Sequence, residues 1–171
     1  MSPQEFKIEV IPLKNKLYRL SLRMLGATEE AEDAVQDAFV KLWTKRNELS
    51  GYSSVEAFAM TVTKNLCLDR IKSKSFQTER ISDKLNSSLG NDPGNVVENS
   101  DFNGFIHRII ARLPDHQKVI MHMRDVEDYE YEQIAEVMGL NVNAVRVNLS
   151  RARKKVRDTI LKMHDYELAR N

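Results

Sequence analysis

"YEYEQIAEVMGLNVNAVRVNLSRARKKVRDTI", residues 129–160, has the pattern of a helix, a short turn and a second helix. Apolar residues of the first helix recur at the spacing of one helical face, at Ile134, Ala135 and Met138. Gly139 tolerates the positive φ of a tight turn between helices, and Leu140 is expected to bury that turn. The stretch therefore predicts a helix-turn-helix.

The second helix of this stretch has two chemically different faces. Residues 142–157 carry six basic side chains and no acidic one. An apolar stripe runs along it at Val145, Leu149, Ala152 and Val156. The opposite face holds Asn143, Val147, Ser150, Arg151 and Lys154, with Arg146 and Arg157 beside it. Such a helix suits the major groove of DNA, where Arg, Asn and Ser bind base edges and Lys neutralises phosphate. An ordinary helical hairpin with a solvated basic face is the alternative.

Composition favours an all-α protein. The 171 residues are 42% hydrophobic and 30% charged, which fits one medium domain or two small ones. Glycine and proline are scarce, at 6 and 4 residues, and apolar residues recur every three or four positions, so helices rather than a sheet are expected. The N-terminus lacks a signal-peptide pattern, and no stretch approaches the roughly 20 apolar residues of a membrane span. A cytoplasmic protein is expected.

Three helices are predicted in the first half of the chain. "LKNKLYRLSLRML" is an amphipathic helix ended by Gly26, and "EAEDAVQDAFVKLWTKR" is a second one with five acids and no base between residues 28 and 38. In the third, "VEAFAMTVTKNLCLDRIKSK", the stripe that begins with Phe58 and Val62 continues with polar groups, at Asn65, Asp69 and Lys72. Lys64, Arg70 and Lys74 lie near these groups and favour a polyanion over plain extension into water.

Residues 75–104 separate the two halves. They are rich in Ser, Asn, Asp and Gly and have few apolar residues, which is typical of a linker. Their length exceeds that of an ordinary loop within one domain. The predicted organisation is therefore one small helical domain over residues 1–75, a flexible linker over 76–104, and a helix-turn-helix domain over 105–171.

No catalytic constellation is evident in the sequence. The single cysteine, Cys67, is expected to be a small core residue. The four histidines have no ligand spacing with cysteines or carboxylates, and those of "DHQKVIMHMRD" are expected to be solvated on a helix. A phosphate-binding glycine loop is also lacking. We expect no enzyme activity, cofactor or metal.

Three passages in order resemble the extracytoplasmic-function (ECF) sigma factors, small promoter-recognition subunits of bacterial RNA polymerase. They are "ATEEAEDAVQDAFVKLW", "AFAMTVTKNLCLDRIKSK" and "ARLPDHQKVIMHMRDVEDYEYEQIAEVMGLNVNAVRVNLSRARKKV". The resemblance implies that the chain binds core RNA polymerase and promoter DNA. It also implies an anti-sigma factor as a partner, with no membrane insertion of the chain itself.

The resemblance assigns roles to particular residues. The surface implied for core polymerase comprises Glu32, Asp33, Gln36, Asp37 and Trp43. The surface implied for the minus-ten promoter element comprises Asn65, Asp69, Arg70, Lys72 and Lys74, with Asn65 matching the position nearest a flipped non-template base. Positions matching the reader of the minus-thirty-five element are Arg146, Asn148, Ser150, Arg151 and Arg153. By helical count, Asn148 and Arg153 point less squarely outward than Ser150 and Arg151.

Two other functions fit parts of the sequence. A dimeric helix-turn-helix regulator explains the second half equally well, but gives no reason for the acidic and polar-basic helices of the first half. A helical interaction protein without a DNA role leaves the charge pattern of residues 142–157 unexplained.

Overall fold

Helices form where apolar side chains recur every three or four residues, as the sequence predicts. The computed structural model describes residues 1–49, 52–84 and 102–170, with the backbone alone for 79–84. All regular structure in these ranges is helical and none is strand. The helices are α1 (Pro3–Glu9), α2 (Lys14–Leu25), α3 (Thr28–Thr44), α4 (Val55–Lys84), α5 (Phe102–Ala111), α6 (Asp115–Met121), α7 (Tyr131–Met138) and α8 (Val142–Arg170). A 3-10 turn (Ile11–Leu13) precedes α2, and a π-helical turn (His122–Val126) follows α6.

Helices α2, α3 and α4 pack around one core in the first half of the chain. The large side chains at its centre are almost completely buried: Leu17, Leu20, Leu42 and Met60. Gly26 ends α2 with a φ of 75°, in the left-handed region, as the sequence predicts. Cys67 is also completely buried, which confirms it as a core residue.

The predicted helix-turn-helix is formed by α7 and α8. Gly139 ends α7 with a φ of 65°, and the Leu140 N–H donates to the Ala135 carbonyl over 3.0 Å. Asn141 then caps α8, because its Oδ1 accepts from the Ala144 N–H over 2.7 Å. The prediction that Leu140 buries the turn is wrong, since Leu140 is 37% exposed. Backbone hydrogen bonds close this turn without a buried side chain.

The apolar stripe of α8 faces inward, as the sequence predicts. Its four members are buried: Val145, Leu149, Ala152 and Val156. Val145 and Leu149 pack in the main core, whereas Ala152 and Val156 pack with Ile109 and Leu113 in a smaller second cluster. The stripe thus fixes which face of α8 is left for solvent.

The boundaries of the predicted linker fall within helices. Helix α4 continues to Lys84, so residues 76–84 are helical, and α5 already begins at Phe102. The rest of the predicted linker, residues 85–101, lies outside the described residues. The division into residues 1–75, 76–104 and 105–171 stays a prediction.

The two halves of the chain pack against each other. Helix α2 contacts α6, and α4 contacts α7. Val119, Ile120 and Met123 are completely buried, and they belong to the same apolar cluster as Leu17 and Leu20. The second half therefore completes the main core of the first.

His122 lies at this junction, and the prediction that it is solvated is wrong. It is only 4% exposed, and neither ring nitrogen has a hydrogen-bond partner among the described residues. Its Nε2 lies 3.4 Å from Oε1 of Glu127. Burial, together with the charge of Arg23, lowers the pKa of His122 to about 4. The imidazole is therefore neutral at physiological pH.

We expect the free energy of unfolding to fall as the pH is lowered from about 6.5 towards 4. The reason is that the unfolded chain binds a proton on His122 near pH 6.5, whereas the folded chain binds it only near pH 4. Urea unfolding at pH 7 and pH 5 measures this loss. The variant His122→Leu should flatten it, and the exposed control His116→Leu should not. An unchanged pH dependence in His122→Leu would contradict the assignment.

Candidate nucleic-acid interface

The predicted base-reading face of α8 is exposed. Six side chains proposed from the sequence share this surface: Asn143, Arg146, Val147, Ser150, Arg151 and Lys154. Val147 is 38% exposed, although it is apolar, and it is therefore available to touch a thymine methyl group. The buried stripe holds this face outward, as a groove-binding helix requires.

Tyr131 is a feature of this surface that the sequence did not indicate. It stands at the start of α7, and the guanidinium of Arg146 lies 5.0 Å from its ring centroid. The guanidinium of Arg124 lies 4.8 Å from the same centroid. Tyr131 also lines a basic depression with Arg146, Ser150, Arg153, Lys154 and Arg157. An aromatic ring contacting two guanidiniums orients them by cation–π attraction.

Asn148 and Arg153 are already engaged within the protein. The Asn148 Nδ2 donates to the Ala144 carbonyl over 2.9 Å. Arg153 donates to both carboxylate oxygens of Asp125, with Nε to Oδ2 at 3.1 Å, and this hydrogen bonding raises the pKa of Arg153. Reading a base would require each side chain to give up these partners. They are therefore weaker candidates for base contact than Ser150 and Arg151.

A second polar surface lies on α4. Asn65, Asp69 and Lys72 are exposed there, although the helical count places them on the same stripe as the buried Phe58 and Val62. Lys64 does not belong to this surface: it is 7% exposed, and its Nζ donates to the carbonyl oxygen of Val137 over 2.6 Å. The expectation that Lys64 faces an anion is therefore wrong, because α7 covers it.

Two bases of α4 are paired with acids of α3. Arg70 Nη2 lies 2.5 Å from Oδ2 of Asp37, and Lys74 is ion-paired with Glu30. The sequence suggests separate acidic and basic surfaces, but the structure places them side by side on neighbouring helices. Exposed ion pairs of this kind are worth only about 0–1 kcal/mol, so another anion can displace the acids.

The remaining acidic face of α3 is open to solvent. Glu32, Asp33 and Gln36 are all exposed. Trp43, at the end of the same helix, is 38% exposed, and its ring meets Phe6 edge-on with centroids 5.1 Å apart. It is therefore partly a packing residue and partly a surface residue.

Within the described ranges, no group of three or more His, Cys, Asp or Glu side chains is placed to hold a metal ion. In the same residues, no helix is both long and apolar enough to cross a membrane.

Comparison with known families matches both halves of the chain. The family model of sigma-70 region 2 matches residues 11–77, and that of sigma-70 region 4 matches residues 106–156. The first match contains α2, α3 and most of α4, and the second contains the helix-turn-helix. Together they define the chain as a sigma factor of the sigma-70 class.

Individual relatives narrow the class. The chain is 25% identical over 156 residues to the ECF RNA polymerase sigma factor SigW of Bacillus subtilis, covering 84% of this chain and 82% of that protein. It is also 25% identical over 161 residues to the ECF RNA polymerase sigma factor SigE of Mycolicibacterium smegmatis, covering 92% of this chain and 62% of that protein. The chain belongs to the extracytoplasmic-function sigma factors.

Solved structures share the fold. The sigma factor RpoE in complex with the anti-sigma factor NepR from Bartonella quintana superposes with a TM-score of 0.75 at 19% identity, covering 92% of this chain and 97% of that one. CnrH in complex with the cytosolic domain of CnrY gives a TM-score of 0.64 at 16% identity, covering 93% and 89%. Both solved structures are complexes in which this fold is bound to a second protein.

Proposed function

We propose that this chain binds core RNA polymerase, recognises a promoter through two elements and stabilises the melted strand to start transcription. The observation that carries this function is the presence of two exposed DNA-compatible surfaces on different halves of the chain, around Asn65 on α4 and around Arg151 on α8. A regulator that reads one operator needs only the second of them. Family membership supports the same conclusion.

Each half has its own role in this proposal. Residues 1–75 bind core polymerase through the acidic face of α3, and α4 captures an unstacked base of the minus-ten element. Residues 105–171 read the minus-thirty-five element with α8. A basic helical partner on the polymerase suits the exposed carboxylates of Glu32 and Asp33. Single-strand capture suits Asn65, whose amide both donates and accepts hydrogen bonds.

Three further properties of the chain follow from this function. It acts without chemistry of its own, as sigma factors generally do, and it needs no cofactor. It works in the cytoplasm, where core polymerase is found. A partner of the anti-sigma kind holds it inactive; the RpoE complex with NepR is a related arrangement.

Purified core polymerase supplemented with this chain should initiate transcription at a discrete promoter. Runoff transcription and copurification with core polymerase test the proposal directly. Lack of association with core polymerase, together with tight dimeric binding to an operator, would favour the regulator instead.

Replacing Arg151 with alanine should weaken binding to the upstream element by about 1–3 kcal/mol, because an exposed Arg on a recognition helix makes bidentate contacts to a guanine. Fluorescence anisotropy with a duplex carrying that element measures the loss. Arg112→Ala, an exposed arginine at the end of the second half's first helix, is the matched control. Core-polymerase binding should be the same in both variants. An equal loss of DNA affinity in the control would show that only general charge matters.

A further inference from the structure

The exposed surface of α8 divides into two stripes by helical count. Asn143, Val147 and Arg151 recur every four residues and lie opposite the buried stripe. A second stripe lies roughly 90° around the helix from them, on the side of α7. Its members, which line the basic depression together with Tyr131 of α7, are Arg146, Ser150, Arg153 and Arg157. The stripe opposite the core suits base edges, and the lateral stripe faces whatever flanks those bases.

Arg146 keeps its full charge within this depression. Arg153 is paired with Asp125, whereas among the described residues no carboxylate lies within ion-pair distance of Arg146 or Arg157. The partner of Arg146 is instead the ring of Tyr131, 5.0 Å from its guanidinium. An aromatic ring attracts a guanidinium without neutralising it. Arg146 is therefore oriented by the protein and still able to bind an anion.

Tyr131 is itself held in place. It packs, partly buried, against the main core, and the guanidinium of Arg124 lies 4.8 Å from its ring centroid. Arg124 Nη1 donates to the Tyr129 carbonyl over 2.7 Å and lies 3.6 Å from Oε2 of Glu130. The charge of Arg124 is thus partly offset by a carboxylate. Arg124 supports the ring, and Arg146 remains as the cation that the ring presents.

The start of α7 offers little else to an anion. The first helix of a helix-turn-helix crosses the DNA backbone, and free N–H groups at a helix N-terminus commonly hold phosphate. Here Glu130 and Gln133 form a capping box, in which the Glu130 N–H donates to Oε1 of Gln133 over 2.9 Å. Glu132 adds a second carboxylate in the first turn. A phosphate at this end of α7 therefore needs a cation, and Arg146 lies beside Tyr131 to supply it.

We propose that Tyr131 is a positioning residue for DNA binding, whose ring holds the guanidinium of Arg146 against a backbone phosphate that flanks the bases read around Arg151. This role rests on the proposed function and names the part of the DNA that Arg146 touches. Arg146 then sets the register of α8 in the groove and carries no base readout of its own. Without the ring, the Arg146 side chain samples several rotamers, and binding has to offset their loss.

A double-mutant cycle in the full chain tests the contact. The probe is a duplex selected from a random pool by the wild-type chain, and fluorescence anisotropy measures its affinity. Tyr131→Leu should lower this affinity about fivefold, whereas Tyr131→Phe, which keeps the ring, should stay within about twofold of the wild type. In the Arg146→Ala background, Tyr131→Leu should have almost no further effect, because the two residues act through one contact. Urea unfolding should show that all variants remain folded.

Uncharged methylphosphonate linkages test the phosphate, and they need no change in the wild-type chain. Replacing each phosphate of the selected duplex in turn should reveal one linkage whose neutralisation costs the wild type and Tyr131→Phe about tenfold in affinity, but costs Arg146→Ala less than about twofold. Single base-pair changes should weaken Arg146→Ala as much as they weaken the wild type. Arg151→Ala, in contrast, should lose discrimination at one base pair.

The outcomes separate this role from the proposed function. A Tyr131→Leu loss that persists in the Arg146→Ala background would overturn the role of Tyr131, and so would an Arg146→Ala variant that loses base discrimination but keeps the wild-type methylphosphonate profile. In both cases the wild-type chain still binds its duplex, so the proposed function stands. A wild-type chain that selects no duplex would overturn the proposed function, and the role of Tyr131 with it.

Discussion

Replacing Asn65 with alanine is expected to reduce the formation of open promoter complexes by about 10- to 100-fold, while binding to core polymerase stays unchanged. The loss corresponds to about 1–3 kcal/mol, the discrimination that one good bidentate contact to a base edge provides. Asn65 is exposed on α4, and its amide can pair with the edge of a base that has left the stack. Permanganate footprinting of the melted region measures open complexes, and copurification measures core binding.

Asn15→Ala removes the same amide from an exposed position of α2 and is the matched control for Asn65→Ala. It should leave both measurements unchanged. A premelted promoter should restore part of the activity of Asn65→Ala, because strand separation then no longer has to be offset by base capture. Equal loss of core binding in the Asn65 and Arg151 variants would contradict the division of roles between the two halves.

Replacing Leu149 with alanine is expected to lower the free energy of unfolding by about 2–5 kcal/mol. Leu149 is 2% exposed and belongs to the main core, where it packs from the inner face of α8. Truncating it removes apolar contacts and leaves a cavity under the recognition helix. Urea unfolding followed by circular dichroism measures the change.

Leu161→Ala provides the control on the same helix. Leu161 is 53% exposed, beyond the buried stripe, so its truncation should change the free energy of unfolding by no more than about 0.5 kcal/mol. A similar cost at both positions would mean that α8 is stabilised along its whole length rather than through its inner stripe.

Local patterns were sufficient to predict α2, α3, α7 and α8, together with the buried stripe of α8. The stripe of Val145, Leu149, Ala152 and Val156 depends only on the helical period, and the left-handed ends of α2 and α7 depend only on glycine at Gly26 and Gly139. The exposed face of α8 follows from the same period. These features could be predicted because each depends on residues within one or two helical turns.

Contacts between distant segments could not be predicted in this way. Lys64 and Val137 are 73 residues apart, and only the packing of α4 on α7 makes this basic residue a buried cap of the Val137 carbonyl. His122 is buried for a similar reason, because α2 covers the turn in which it lies. The partners of Arg153 and Arg70 also come from other helices, at Asp125 and Asp37. A helical period gives the direction of a side chain but not what lies opposite it.

Trp43 is the single tryptophan of the chain. Its ring is held edge-on by Phe6, lies 4.3 Å from the guanidinium of Arg46 and remains 38% exposed on the surface proposed for core polymerase. The intrinsic emission of the protein on excitation of tryptophan therefore originates at one position, beside that surface. The chain thus carries its own optical reporter of that surface, with no label attached and no second indole within the chain.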